Sequence, residues 1–184
     1  MDQCIRHSRV AECLAHSPAP PYARAAMARA YIAIGSNLGQ RQDAIRAALA
    51  RLYEVPSTTV TAIATFRETE PVDAPPESGM FINGAVGIET DLSPVELLRH
   101  LLQIEREMGR NRADERDMRN APRVLDLDLL MYADITVADA ELILPHPRMH
   151  RRRFVLEPLA EIAPDLRHPA IGKTVKELLE ELPD

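Results

Sequence analysis

An α/β fold with helices and strands interleaved is predicted by three observations. Short β-like runs alternate with amphipathic stretches, two capping boxes mark helix starts, and hydrophobic residues make up 46% of the 184. That apolar share suffices for one packed core and is too high for a disordered chain. The first run, Arg29 to Ile34, is β-like and is stopped by Gly35-Ser36-Asn37-Leu38-Gly39, read as a tight turn. A helix follows over about 40–52, with Ile45, Leu49 and Leu52 on one face. Residues 57–66, rich in Thr, Val and Ile, read as a strand. Residues 67–79 carry three prolines and a glycine and read as a loop, and 80–90 is a third strand.

The next helix is the best marked. Ser93 is a good N-cap, Pro94 takes the first helical position and Glu96 completes a capping box. Leu97, Leu101, Ile104 and Met108 form an apolar stripe, and Gly109 is placed to end the helix. A polar, arginine-rich segment, 110–123, leads into the strand Val124–Tyr132. The order βαββαβ is the ferredoxin-like one. A C-terminal addition follows: a hairpin strand at 141–144, a short helix near 150–160, and a helix over 174–182 that opens on the capping box Thr174/Glu177. No internal repeat and no second domain is visible.

Residues 1–29 differ from the rest. They hold both cysteines, Cys4 and Cys13, a proline-rich stretch from Ser17 to Pro21, and four arginines against two acids, without hydrophobic periodicity. They are expected to be a disordered extension, with 30–184 as the folded domain. No extended amphipathic helix suggests a transit peptide, and no apolar stretch suggests secretion, so a cytoplasmic location is expected. No apolar run approaches the ~18 residues of a membrane span. The formal net charge of −6 argues against a general nucleic-acid binder, which needs a basic surface. A ferredoxin-like RNA-binding module would also need aromatics clustered on its central strands, and none are.

The chemistry concentrates late in the domain. In Val124-Leu125-Asp126-Leu127-Asp128-Leu129 the leucines share one strand face and the two carboxylates the other. Paired carboxylates repel, and partial burial without a cation is costly. A hard divalent cation such as Mg²⁺ answers both problems, and an ordinary half-exposed strand with solvated acids is the bland alternative. Six arginines fall within 106–123, and His150-Arg151-Arg152-Arg153 makes a second basic cluster just after Pro145-His146-Pro147. Acids with a metal beside arginines suit a polyphosphate. Of the 22 basic residues only Lys173 and Lys176 are not arginine, so placement is more informative than number. No Walker-type phosphate loop is present.

Several of these motifs, in this order, resemble the 6-hydroxymethyl-7,8-dihydropterin pyrophosphokinase family. They are Ala33-Ile34-Gly35-Ser36-Asn37-Leu38-Gly39, Phe81-Ile82-Asn83, Gly109-Arg110-x-Arg112, Ala121-Pro122-Arg123 with the paired aspartates, Leu144-Pro145-His146-Pro147, and Arg152-Arg153-Phe154. The resemblance covers about 30–182 and implies a ferredoxin-like fold. It implies transfer of pyrophosphate from ATP, as co-substrate, to the hydroxymethyl group of the pterin, giving AMP, in folate biosynthesis. It further implies two Mg²⁺ ions on Asp126 and Asp128, with phosphates held by Arg110 and Arg123 as the catalytic pair. The pterin is expected between Phe81 and Phe154, with Asn83 reading its polar edge and Thr69 and Val72 forming the opposite wall. Glu105, Arg112, His146 and Arg152 are expected at the nucleotide. Many members carry Trp-Gly-Pro-Arg before the paired aspartates, where this chain has Asn120-Ala121-Pro122-Arg123 and no tryptophan anywhere.

Overall fold

The computed structural model describes residues 27–72, 79–110 and 123–183. The chain runs β1 (Ala28–Ser36), α1 (Arg41–Tyr53), β2 (Thr58–Ile63), β3 (Arg67–Thr69), β4 (Phe81–Thr90), α2 (Pro94–Glu107) and β5 (Asp126–Tyr132). It ends with the hairpin β6 (Val137–Ala138) and β7 (Ile143–Leu144), a 3₁₀ turn at Met149–Arg151, α3 (Arg153–Ile162) and α4 (Val175–Glu180). The main sheet has the order β2-β4-β1-β5, with β3 also on β4, and its pairings are antiparallel. This is the ferredoxin-like arrangement expected from the element order, with the hairpin and two helices added.

Both capping boxes form. The Ser93 hydroxyl accepts from the Glu96 N–H while the Glu96 carboxylate accepts from the Ser93 N–H, and Thr174 and Glu177 do the same for α4. Several boundaries shift by one to three residues from the sequence reading, and two differences bear on the fold. β1 begins at Ala28, so Ala28 and Arg29 belong to the sheet, paired with Thr90 and Glu89, and not to the preceding extension. Residues 1–26 lie outside the described residues. The segment 67–79 is not all loop, since Arg67–Thr69 pairs with Phe81–Asn83. β2 covers only the far half of β4, and the near half still needs partners for its backbone groups. An exposed edge strand of three residues carries no hydrophobic pattern to announce it.

Two cores sandwich the sheet. On one face Ile32, Ile34, Leu125, Leu127 and Leu129 pack with Ile45 and Leu52 of α1 and Leu97, Leu101 and Ile104 of α2. On the other, Ala85, Leu130 and Met131 pack with Val155, Leu156 and Leu159 of α3 and Val175 and Leu178 of α4. A bulge makes the second core possible. Tyr31 pairs with Met131 but Ile32 pairs with Leu129, so Leu130 is an extra residue in β5. The extra residue puts Leu130 and Met131 in the same cluster, which strict alternation would forbid.

Candidate active site

At the end of the sheet where β1 stops, α3 no longer covers the second face. A cleft of about 190 Å³ opens there, lined at its β4 end by Phe81 and Asn83 and at its β5 end by Asp126 and Asp128, with Val72, Arg110, Arg123, His146, Arg148, Arg152 and Phe154 completing its wall. Asp126 and Asp128 share the face expected from alternation, and both carboxylates remain partly exposed.

Each charged group is positioned by a local device. Gly109, at φ 91°, ends α2; its N–H donates to the Arg106 carbonyl and the Arg110 N–H to the Glu105 carbonyl. This pair of bonds is a Schellman cap, which only a residue comfortable at positive φ closes without strain. It turns the chain so that the Arg110 guanidinium runs back beneath the strand. There it donates to Glu105 at 2.6 Å and to Oδ1 of Asp126. Arg123 donates to the other oxygen of Asp126 at 3.0 Å.

Glu105 is not where it was expected. Its carboxylate is 1% exposed, does not line the cleft, and accepts from Arg110 and from the Leu127 N–H at 2.8 Å. It lies behind the site, holding both the arginine and the strand segment between the two aspartates. The resemblance implied a place at the nucleotide, and the apolar stripe of the helix gave no sign that an acid one position after Ile104 is buried.

Burial pushes the His146 imidazole down to about 4, with Arg152 and Arg148 adding to the effect and Asp126 opposing it. His146 is therefore neutral near pH 7. Its Nδ1 accepts from the Arg148 N–H at 3.3 Å, which leaves the proton on Nε2, 3.9 Å from Asp128. That is a contact between a neutral ring and a carboxylate, too long for a direct hydrogen bond.

At the other end, the Asn83 amide donates to the Thr69 hydroxyl at 2.7 Å. Asn83 faces Gly35 across the sheet, and a Cβ on Gly35 would sit 2.7 Å from the Asn83 oxygen. Gly35 therefore remains inside β1 and makes room for Asn83; the turn itself uses Gly39, at φ 68°. Thr69 acts by its side chain, on Asn83, and is not itself on the cleft wall. The Arg152 guanidinium lies over the Phe154 ring, 5.4 Å from its centre. Glu70 and Arg148 also line the cleft and were missed from sequence. Arg148, two residues after His146, could have been found from its neighbour. Glu70 had no signal. Arg112 and the rest of 111–122 lie outside the described residues.

Carboxylates and guanidinium groups at one end of a cleft, with aromatic rings and an amide at the other, are what transfer of a phosphate-bearing group to a flat acceptor requires. Comparison with known proteins is specific. The family model for 7,8-dihydro-6-hydroxymethylpterin-pyrophosphokinase (HPPK) matches residues 31–164. The chain is 44% identical over 141 residues to the 2-amino-4-hydroxy-6-hydroxymethyldihydropteridine pyrophosphokinase of Bacillus subtilis, covering 77% of this chain and 81% of that one. It is 40% identical over 155 residues to the Pseudomonas aeruginosa protein of the same name, covering 84% and 92%. The fold is also that of the Plasmodium falciparum HPPK-DHPS structure with pteroate (TM-score 0.66, 14% identity), which it matches over 84% of its own length and 44% of that chain. The chain belongs to the 7,8-dihydro-6-hydroxymethylpterin-pyrophosphokinase family. It is a pyrophosphokinase of folate biosynthesis, with ATP as co-substrate and the hydroxymethyl-dihydropterin as acceptor.

Proposed function

We propose that the two ends of the cleft divide the reaction between them, the pterin at the aromatic end and the triphosphate at the charged end. The observation that carries this reading is the spacing along the sheet. Asn83 of β4 and Asp126 of β5 both pair with Gly35 of β1, so the two ends meet across a residue with no side chain. The pterin would lie between Phe81 and Phe154, its ring stacked and its polar edge read by Asn83, with Val72 on the opposite wall and Thr69 fixing the amide. The acceptor hydroxyl then attacks the β-phosphorus; its bond to phosphorus forms as the bond between the β-phosphorus and the bridging oxygen of AMP breaks, and its proton passes to water. Arg110 and Arg123 hold the transferred phosphates and offset the charge that develops, with Arg112, Arg152 and His146 as supporting contacts to ATP. Positioning and electrostatics suffice for such a transfer, so no strong general base is assigned.

Asp126 and Asp128 fit Mg²⁺. They are two carboxylates on one strand face, partly exposed to the cleft. One or two carboxylates completed by water and phosphate oxygens are what Mg²⁺ takes. When bound, two such ions would neutralise phosphate charge and align the chain for in-line attack. Among the described residues, Asp126 accepts from Arg110 at one oxygen and from Arg123 at the other, so a metal ion there would share or displace those contacts and release the guanidinium groups toward the phosphates.

The catalytic unit begins at Ala28, where β1 starts, and the enzyme works in the cytoplasm; no helix among the described residues is long and apolar enough to cross a membrane. The division of the cleft is tested by titrating the pterin into enzyme saturated with a non-hydrolysable ATP analogue. Asn83→Ala and Phe154→Ala are expected to weaken pterin binding and leave the analogue's affinity unchanged. Wild-type pterin binding in both would reverse the assignment.

A further inference from the structure

The turn after β1 contains a contact that the reaction as described does not use. Asn37 is 7% exposed and meets Arg123 through two hydrogen bonds. The Asn37 N–H donates to the Arg123 carbonyl at 3.1 Å, and the Arg123 N–H donates to Asn37 Oδ1 at 2.7 Å. These are the two bonds that an antiparallel pair exchanges, with the asparagine side chain standing in for a main-chain carbonyl. They prolong the β1–β5 pairing beyond its last register pair, Gly35 and Asp126, to a residue outside β5.

We infer that Asn37 is the positioning residue for Arg123. The proposal rests on the assignment of Arg123 to the phosphates. Arg123 stands three residues before Asp126, and its guanidinium must reach both that carboxylate and a phosphate. Its backbone lies outside the ladder and directly after residues 111–122, so the ladder does not fix where its side chain starts. The Asn37 clasp does. Asparagine suits the task because its short side chain presents a carbonyl oxygen to the Arg123 N–H; among the described residues Nδ2 has no hydrogen-bond partner. Two segments far apart in sequence, Gly35-Ser36-Asn37 and Arg123, thereby act as one device.

The test is a double-mutant cycle on turnover, with Asn37→Ala, Arg123→Ala and the double variant, each checked for folding by its melting temperature. Asn37→Ala is expected to lower kcat about 10- to 100-fold, the order that a misplacement near 1 Å can cost, with KM for the pterin little changed. The double variant is expected to be no slower than Arg123→Ala, because the two losses share one cause. Additive losses, or wild-type kcat in Asn37→Ala, would overturn the assignment. Wild-type turnover in Arg123→Ala would remove the phosphate role itself, and the inference with it; a slow Arg123→Ala beside a fast Asn37→Ala removes the inference alone. If Asn37→Ala does not fold, Asn37→Asp keeps the acceptor oxygen and is expected to turn over well above Arg123→Ala. A loss equal to that of Arg123→Ala would again reject the clasp.

Discussion

On the face of the sheet covered by α1 and α2, β5 presents Leu125, Leu127 and Leu129, each no more than 4% exposed. On the opposite face the same strand presents Asp126 and Asp128, then Leu130 and Met131 beneath α3. The first face is closed along its whole length. The second is closed at one end and open at the other, and the charged residues occupy the open end. Stability and chemistry are thus separated by one residue along a strand. The rigid face gives the aspartates a backbone that does not yield, and the open face lets cations reach them.

The largest effect should come from the open face. Asp126→Ala and Asp128→Ala are each expected to reduce kcat about 100- to 1,000-fold, the order seen when a preorganised charge at a reacting group is removed, with the melting temperature nearly unchanged in Asp128→Ala and modestly lowered in Asp126→Ala, which takes a carboxylate from the buried Arg110. Near-wild-type rates at saturating Mg²⁺ in both variants would withdraw the metal assignment and the contrast between the faces. Leu127→Ala is the counterpart on the closed face. Leu127 is 1% exposed, and its truncation should cost about 2–5 kcal/mol in urea unfolding, while the folded fraction still turns over. A stability loss from Asp126→Ala as large as from Leu127→Ala would show that the faces are not separable.

Gly35→Ala probes the border between the two ends of the cleft. The added methyl would meet the Asn83 oxygen at 2.7 Å, so the amide must shift. KM for the pterin is expected to rise while KM for ATP stays; equal rises in both would mean that the strand itself has moved.

A smaller, pH-dependent effect involves two histidines that do not line the cleft. His150 and His168 meet edge to face, 6.0 Å between ring centres. Burial lowers the affinity of both for a proton, and His150 lowers that of His168 further. Above pH 6.5 both are neutral folded or unfolded, and nothing is lost. Below about 6.5 the unfolded chain takes protons that the folded one resists, so stability falls as pH drops from there toward the folded pKa values. Urea unfolding from pH 7.5 to 5 should show this slope on top of the larger one from buried His146, whose pKa is pushed down to about 4, and His168→Gln should make the total shallower; an unchanged slope would leave it to His146 and other groups. The smallest effect is expected from deleting residues 1–26, which precede β1. A large drop in melting temperature or turnover would place them in the catalytic unit.

Much of this was legible beforehand because it depends on short-range patterns. Ser93 and Glu96, Thr174 and Glu177, and Gly109 announce helix ends through backbone chemistry confined to one turn. The alternation in Val124–Leu129 assigns each residue to a face without knowledge of what covers that face. Arg110, Arg123, Asp126, Asp128, Phe81, Asn83, His146, Arg152, Phe154 and Val72 line one cleft as expected. What was missed has no local period: β3, the bulge at Leu130, Glu70 in the cleft wall, and the inward turn of Glu105.

By itself the sequence determined the order of elements, the helix caps, the faces of β5 and the motifs that mark the family. All of these follow from neighbours in the chain. Only the tertiary structure decided which groups meet. It placed Glu105 under Arg110 and Leu127, set Asn37 against Arg123, and left Gly35 as the gap between Asn83 and Asp126. The physical reason is that a hydrogen bond or a steric contact depends on distance in space. Partners 86 residues apart, as Asn37 and Arg123 are, become neighbours only when β1 and β5 pair.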